Sequence, residues 1–240
     1  WSFKGIFGTF DRASLQRGYQ VYQEVCSGCH SVQHLSYRNL SEKGGPEFSV
    51  EEAKAIAAQF EVEDGPNSDG EMFMRPGRLS DTFVKPYPNV EASTAANGGA
   101  YPPDMSVLTK ARKGGADYIY SLLLGYEEAP TGFELDEGVY YNKYMPGNKI
   151  KMISPLSDGL VEYSDGTPST TAQMAKDVTA FLVWVAEPHL ESQHRMGFKS
   201  IIYLIILFIL VYMSKQKVWS RFGSKKEPEE ETFDKVERAV

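Results

Sequence analysis

The sequence predicts a mainly α-helical domain with long loop insertions, followed by one C-terminal transmembrane helix. Three observations predict it. Apolar residues recur at helical spacing in four segments of the first 187 residues. Two stretches dense in Gly, Pro and acidic residues separate those segments. An uncharged apolar run follows residue 200.

Residues 11–26 read as the first helix. Leu15, Tyr19, Tyr22 and Cys26 recur at steps of four, three and four, which gives one apolar stripe. Gly18 lies beside that stripe, where a missing side chain permits another helix to come close. Ser49 opens a second, short helix that continues from Ala53 to Phe60, with Glu51 and Glu52 in its first turn. Residues 61–85 hold few periodic apolar positions, and a surface loop is expected there. Residues 108–126 look helical but are interrupted at Gly114-Gly115, so the firmer helix is Asp117–Leu124, ending at Gly125. Residues 127–159 are again loop-like. Residues 170–187 carry the clearest amphipathic pattern. Thr170 and Gln173 form a candidate capping box, Met174, Val178, Phe181 and Val185 form the buried face, and Pro188 follows the end.

The formal charge of −7 is unevenly spread over the 240 residues. Residues 1–197 hold 17 basic and 26 acidic side chains, residues 199–226 hold six basic and no acidic ones, and residues 227–240 hold six acidic and two basic ones. An acidic body repels nucleic acid phosphates and attracts basic proteins. The opening Trp1-Ser2-Phe3-Lys4 has no basic segment leading into an apolar stretch, and it does not begin with Met. A secretory leader already removed is the expectation.

Ile201 to Met213 is apolar on every face, with Tyr203, Tyr212 and Trp219 near its ends as interfacial anchors. The run is short for a span, but it extends back through Met196-Gly197-Phe198 when Lys199 snorkels to the interface. Lys215, Lys217, Arg221, Lys225 and Lys226 follow it, and such a basic flank stays on the cytoplasmic or matrix side. The expected division is a soluble domain over residues 1–195, a transmembrane helix over 196–217 and a charged tail over 218–240. The soluble domain then faces the periplasm or the intermembrane space.

The two cysteines of the chain stand three residues apart in Cys26-Ser27-Gly28-Cys29-His30. This spacing reads as covalent attachment of a c-type haem. Each thiol adds to one vinyl group, and residues three apart on a helical turn face the same side. His30 is then held under the iron as its proximal ligand. A zinc site would need two further ligands from His34, His189, His194 or a carboxylate, and no second Cys or His pair stands at zinc spacing. A redox dithiol would expect a strand before the motif, where a helix is predicted. The sixth ligand in an electron carrier is often a methionine from a loop that crosses the haem. Of the eight methionines, Met145 and Met152 flank Pro146-Gly147 in a Tyr-rich loop and fit that demand best; the pattern does not separate them.

From about residue 8 to about residue 219 the chain resembles the cytochrome c1 family, the haem subunits of quinol–cytochrome c reductase. The resemblance rests on Arg17-Gly18-Tyr19-Gln20-Val21-Tyr22 before the haem motif, Lys85-Pro86-Tyr87-Pro88-Asn89, and Ala95 to Ala100 leading to Pro102-Pro103-Asp104. It continues through Ala111-Arg112-Lys113-Gly114-Gly115, Pro146-Gly147 to Met152, and Asp165-Gly166-Thr167-Pro168 before Met174 to Val178. Two positions depart from the family pattern: Lys113 replaces what is often His, and residues 227–240 differ from mitochondrial members.

The resemblance implies a class I cytochrome c-like haem domain with one covalent haem c. It places the distal ligand at Met152, a basic residue near the haem propionates at Arg112, and haem-pocket residues at Tyr118 and Pro103. It implies an electron accepted from a Rieske iron–sulfur protein and passed to soluble cytochrome c. Cytochrome b, the lipid membrane and a dimeric complex are the implied surroundings, in a bacterial inner (plasma) membrane or the mitochondrial inner membrane. The enzyme activity would belong to the complex, since the chain itself breaks no substrate bond. Glu61, Glu63, Asp64, Asp69 and Glu71, or Glu127 and Glu128, are candidates for steering a basic cytochrome c. Two other expectations stand beside this one. A different membrane-anchored monohaem cytochrome would donate to a terminal oxidase, and a haem-based gas sensor would need an open sixth position.

Overall fold

The computed structural model describes residues 1–222. The charged tail expected after residue 217 lies mostly outside the described residues, as does the departure at residues 227–240. The chain divides into two compact units, the first Trp1–His194 and the second beginning at Arg195.

In the first unit, α1 (Arg12–Val21) is opened by Asp11, whose carboxylate accepts from the backbone N–H groups of Ala13 and Ser14. It runs on into a π-helical turn, Tyr22–Cys26. A capping box between Ser49 and Glu52 starts α2 (Val50–Ala57), which stops three residues before the expected Phe60. Next come α3 (Val90–Ala96), α4 (Leu108–Ala111), α5 (Gly115–Leu124, closed by Gly125) and α6 (Thr171–Ala186). At α6 only half of the predicted capping box forms. Thr170 Oγ1 accepts from the Gln173 N–H at 3.2 Å, but the Gln173 amide donates to Asp177 at 2.9 Å instead of reaching back.

The stretch expected as a surface loop contains an antiparallel hairpin, β1 (Glu61–Asp64) and β2 (Phe73–Pro76), with Glu61 opposite Pro76 and Asp64 opposite Phe73. Its strands are short and largely exposed, so no buried alternation marks them in the sequence. Arg75 holds it together, pairing with Asp64 and, at 2.7 Å, with Asp81. A second minimal pair, β3 (Tyr140–Tyr141) with β4 (Lys149–Ile150), organises the Tyr-rich loop. No element was expected over Val90–Ala96; Asn89 caps that helix by accepting from the Ala92 N–H at 2.8 Å.

The core forms where α1 packs on α6, with α5 and α4 also against α6. Both predicted stripes face the core: Leu15, Tyr19 and Tyr22 are buried and Cys26 half-buried along α1 and its π-helical continuation, and Met174, Val178, Phe181 and Val185 are buried on α6. The rings of Tyr19 and Tyr22 lie 5.8 and 5.7 Å from that of Phe181. At this seam Asp177 is fully buried and accepts from Ser14 Oγ at 2.6 Å, Arg17 Nε at 2.8 Å and the Gln173 amide. A buried carboxylate is tolerated because each of these donors faces it.

The last helix is α7 (Leu190–Trp219). Its most apolar 18-residue window has a mean hydropathy of 2.2, and none of that window is buried. At 30 residues, it is long and apolar enough to cross a membrane.

Candidate haem site

The π-helical turn shapes the site. Ser27 N–H donates to the Tyr22 carbonyl at 2.8 Å, five residues back. The next turn closes on Cys26, whose carbonyl accepts from Cys29 N–H at 3.1 Å and His30 N–H at 2.9 Å. Cys26, Cys29 and His30 therefore share one turn at the end of a helix that is fixed to the core. Tyr22 anchors it, buried, with its hydroxyl donating to the His30 carbonyl at 3.3 Å.

Both thiols are free, Cys26 half-buried against the core and Cys29 exposed. Burial, with a smaller contribution from the Cys29 thiol, pushes the Cys26 thiol up to about 12. Among the described residues no group of three or more His, Cys, Asp or Glu side chains is placed to hold a metal ion.

His30 Nδ1 lies 2.8 Å from the Pro103 carbonyl. A carbonyl only accepts, so Nδ1 carries the proton and Nε2 presents a lone pair. Burial outweighs that bond and the nearby Asp104 charge, and it holds the imidazolium below its usual range. A neutral imidazole with its tautomer fixed from behind is what an axial ligand requires. Pro103 thus enters the site through its backbone oxygen.

The two loop methionines, alike in the sequence, differ in their surroundings. The Met145 sulfur accepts from the Tyr118 hydroxyl at 3.6 Å. Half-buried Met152 follows β4 and is tethered through its backbone, its carbonyl accepting from the Tyr126 hydroxyl at 3.0 Å. Arg112 is exposed and donates to the neighbouring Ala111 carbonyl at 3.3 Å. The fold therefore brings Cys26, Cys29, His30 and Pro103 together and places Tyr118 against Met145. Sequence reasoning missed three supporting residues: Tyr22 as an anchor, Tyr126 as the tether of Met152, and Asp104, whose carboxylate joins two loop segments. An Asp-x-Ser turn at Asp104 was legible, because its Oδ1 accepts from the Ser106 N–H two residues on.

The donor set fits a c-type haem: two thiols on one turn, an imidazole with a fixed tautomer, and a loop thioether. The exposed face at Gly28, where a built Cβ meets nothing within 4 Å, leaves room beside that turn.

Comparison with known proteins agrees with this chemistry. A sequence profile of the Cytochrome C1 family matches residues 1–222. The chain is 50% identical over 226 residues to the mitochondrial haem protein cytochrome c1-2 of Solanum tuberosum, covering 94% of this chain and 86% of that one. It is 48% identical over 227 residues to the mitochondrial cytochrome b-c1 complex catalytic subunit of Candida albicans, covering 94% and 78%. It is also 50% identical over 239 residues to cytochrome b/c1 of Bradyrhizobium diazoefficiens, covering 92% of this chain but only 35% of that longer protein. With a family profile matched from the first residue through the candidate membrane helix, and half of the residues shared with full-length members, the chain belongs to the Cytochrome C1 family.

Proposed function

We propose that this chain is the electron-transfer subunit of a quinol–cytochrome c reductase, with one haem c joined to Cys26 and Cys29. The observation that carries the proposal is the motif turn with His30 Nδ1 pinned to the Pro103 carbonyl. Bound haem supplies a one-electron ferric/ferrous couple. The protein's residues hold that couple in place. His30 and Met152 would hold the iron, Arg112 would serve the propionates, and Tyr118 and Pro103 would line the pocket. A helix end fixed to a packed core keeps the ligands still, which limits rearrangement when the charge changes.

Residues 1–195 form the haem domain on the periplasmic or intermembrane-space side, and α7 anchors it in a bacterial or mitochondrial inner membrane beside cytochrome b. The basic residues after the apolar run support this orientation. The donor is the Rieske iron–sulfur protein and the acceptor soluble cytochrome c, within a dimeric complex. Of the acidic residues suited to steering the acceptor, Asp64 and Glu127 already pair with Arg75 and Lys143. Glu61, Glu63, Asp69, Glu71 and Glu128 are exposed and better suited. Association rates with a basic cytochrome c will fall as salt rises; rates indifferent to salt would remove this role.

A redox-titrated visible spectrum of the purified complex tests the whole reading. A reduced α-band from covalently bound haem is expected. Met152→Leu should lower the potential sharply and let the reduced protein bind carbon monoxide. An unchanged potential would exclude Met152 as ligand, and a wild-type chain without the haem mass would exclude the function.

A further inference from the structure

We infer that Asp104 is a positioning residue for the axial imidazole: its carboxylate joins the Pro103–Ser106 segment to the Ser31–Gln33 segment and so holds the Pro103 carbonyl against His30 Nδ1. The inference rests on the haem reading proposed above.

Pro102 and Pro103 have no N–H to donate, so this stretch cannot be held by an ordinary backbone ladder. The Asp104 side chain supplies the missing attachment. Its Oδ2 accepts from Ser31 Oγ at 2.7 Å and from the Gln33 N–H at 3.0 Å, and its Oδ1 accepts from the Ser106 N–H at 2.8 Å. Two further bonds complete the clamp. Met105 N–H donates to the Ser31 carbonyl at 2.8 Å, and His34 N–H donates to Ser106 Oγ at 3.1 Å. These bonds begin at the residue after His30 on one side and at the residue after Pro103 on the other. The His30–Pro103 bond spans 73 residues of sequence. Without such a clamp, nothing local would keep its two ends in register.

Burial works against the Asp104 charge, but the hydrogen bonds from Ser106, Ser31 and Gln33 outweigh it and hold the carboxyl below its usual range. The group is ionised at neutral pH and accepts on both oxygens. Asparagine cannot replace it, because one side would then face an NH2 group with an N–H or O–H donor. A firm Nδ1–H···O=C bond makes the imidazole a more basic ligand and favours ferric iron. Loosening it raises the potential.

The test compares Asp104→Asn, Asp104→Glu and Ser31→Ala in the assembled complex, reading the haem potential and the EPR g values of the ferric haem. Glutamate keeps the charge but moves it by one methylene, so it separates position from charge. The expected result is a raised potential and shifted g values in both Asp104 variants, with the α-band of attached haem intact. A Glu variant with wild-type values beside a shifted Asn variant would reduce Asp104 to a nearby charge and overturn the inference, as would wild-type values in both. If neither assembles, Ser31→Ala decides: a shift in the same direction supports the clamp, and wild-type values overturn it. Failure of the haem reading would look different, because the wild-type complex would itself lack the α-band.

Discussion

The backbone of Gly18 lies against the backbone carbonyl of Asp177, so close that a methyl group on Gly18 would overlap that oxygen and fall 2.7 Å from Cβ of Phe181. This contact sets how near α1 approaches α6. The haem-motif turn is the direct continuation of α1, so the same contact fixes where Cys26 and His30 stand relative to the core.

Gly18→Ala should therefore cost more than an ordinary exposed helix substitution, where alanine stabilises. The Asp177 carbonyl and the Phe181 Cβ belong to or adjoin the α6 backbone and cannot move aside cheaply, and overpacking of this kind costs about 1–3 kcal/mol. Thermal unfolding of the haem-loaded complex, with the yield of attached haem, checks it. An alanine variant as stable as wild type would show that the two helices can slide apart.

The Arg17–Asp177 pair beside it is unevenly buried. Asp177 is fully buried and Arg17 half-buried, and the Arg17 guanidinium is held well above its usual range, first by its hydrogen bond to Asp177. Asp177→Ala strands the donors of Arg17, Ser14 and Gln173, and a loss of about 3–5 kcal/mol is expected. Denaturant unfolding measures the loss. The double variant Arg17→Met with Asp177→Leu should recover part of it, since the guanidinium is no longer left without its buried partner, although Ser14 and Gln173 still lose their acceptor and Asp165 its cation.

Asp165 contributes to the acid limb. Hydrogen bonds from the Thr167 backbone and from Arg17 lower its carboxyl to about 2. An unperturbed Asp titrates near 3.9. The folded-state value is the lower one, so the contribution to stability is fully present above about pH 4 and is lost as pH falls towards 2. Asp165→Asn should be less stable than wild type at neutral pH, and the gap should close across that window. A gap independent of pH would show that the effect is not carried by ionisation. Acid unfolding followed by the haem spectrum resolves the two.

Tyr126 and Tyr118 each hold one of the two loop methionines, the first by its carbonyl and the second by its sulfur. Tyr126→Phe removes a bond worth about 1 kcal/mol and frees the chain at Met152. The reduced variant should bind carbon monoxide more readily, whereas Tyr118→Phe should not. The opposite pattern would move the distal ligand to Met145.

Several elements were legible because their signals are local. The Cys26–His30 spacing states an attachment chemistry within five residues. The α6 stripe, the Ser49 cap and the apolar run of α7 each depend on periodicity or on a cap within one or two turns. The hairpin at Glu61–Pro76 was not legible, because an arginine between two carboxylates holds it and burial contributes little.

The cofactor chemistry, the helical stripes and the long apolar helix can be read from residue types alone. How the site is held emerges only on folding: the proton on His30 Nδ1, the Asp104 clamp, the Tyr126 tether and the Gly18–Asp177 seam. These contacts join residues far apart in the chain and mostly end on backbone carbonyls or N–H groups. Every residue has such groups, so side-chain identity cannot say which one a distant histidine, tyrosine or glycine will meet.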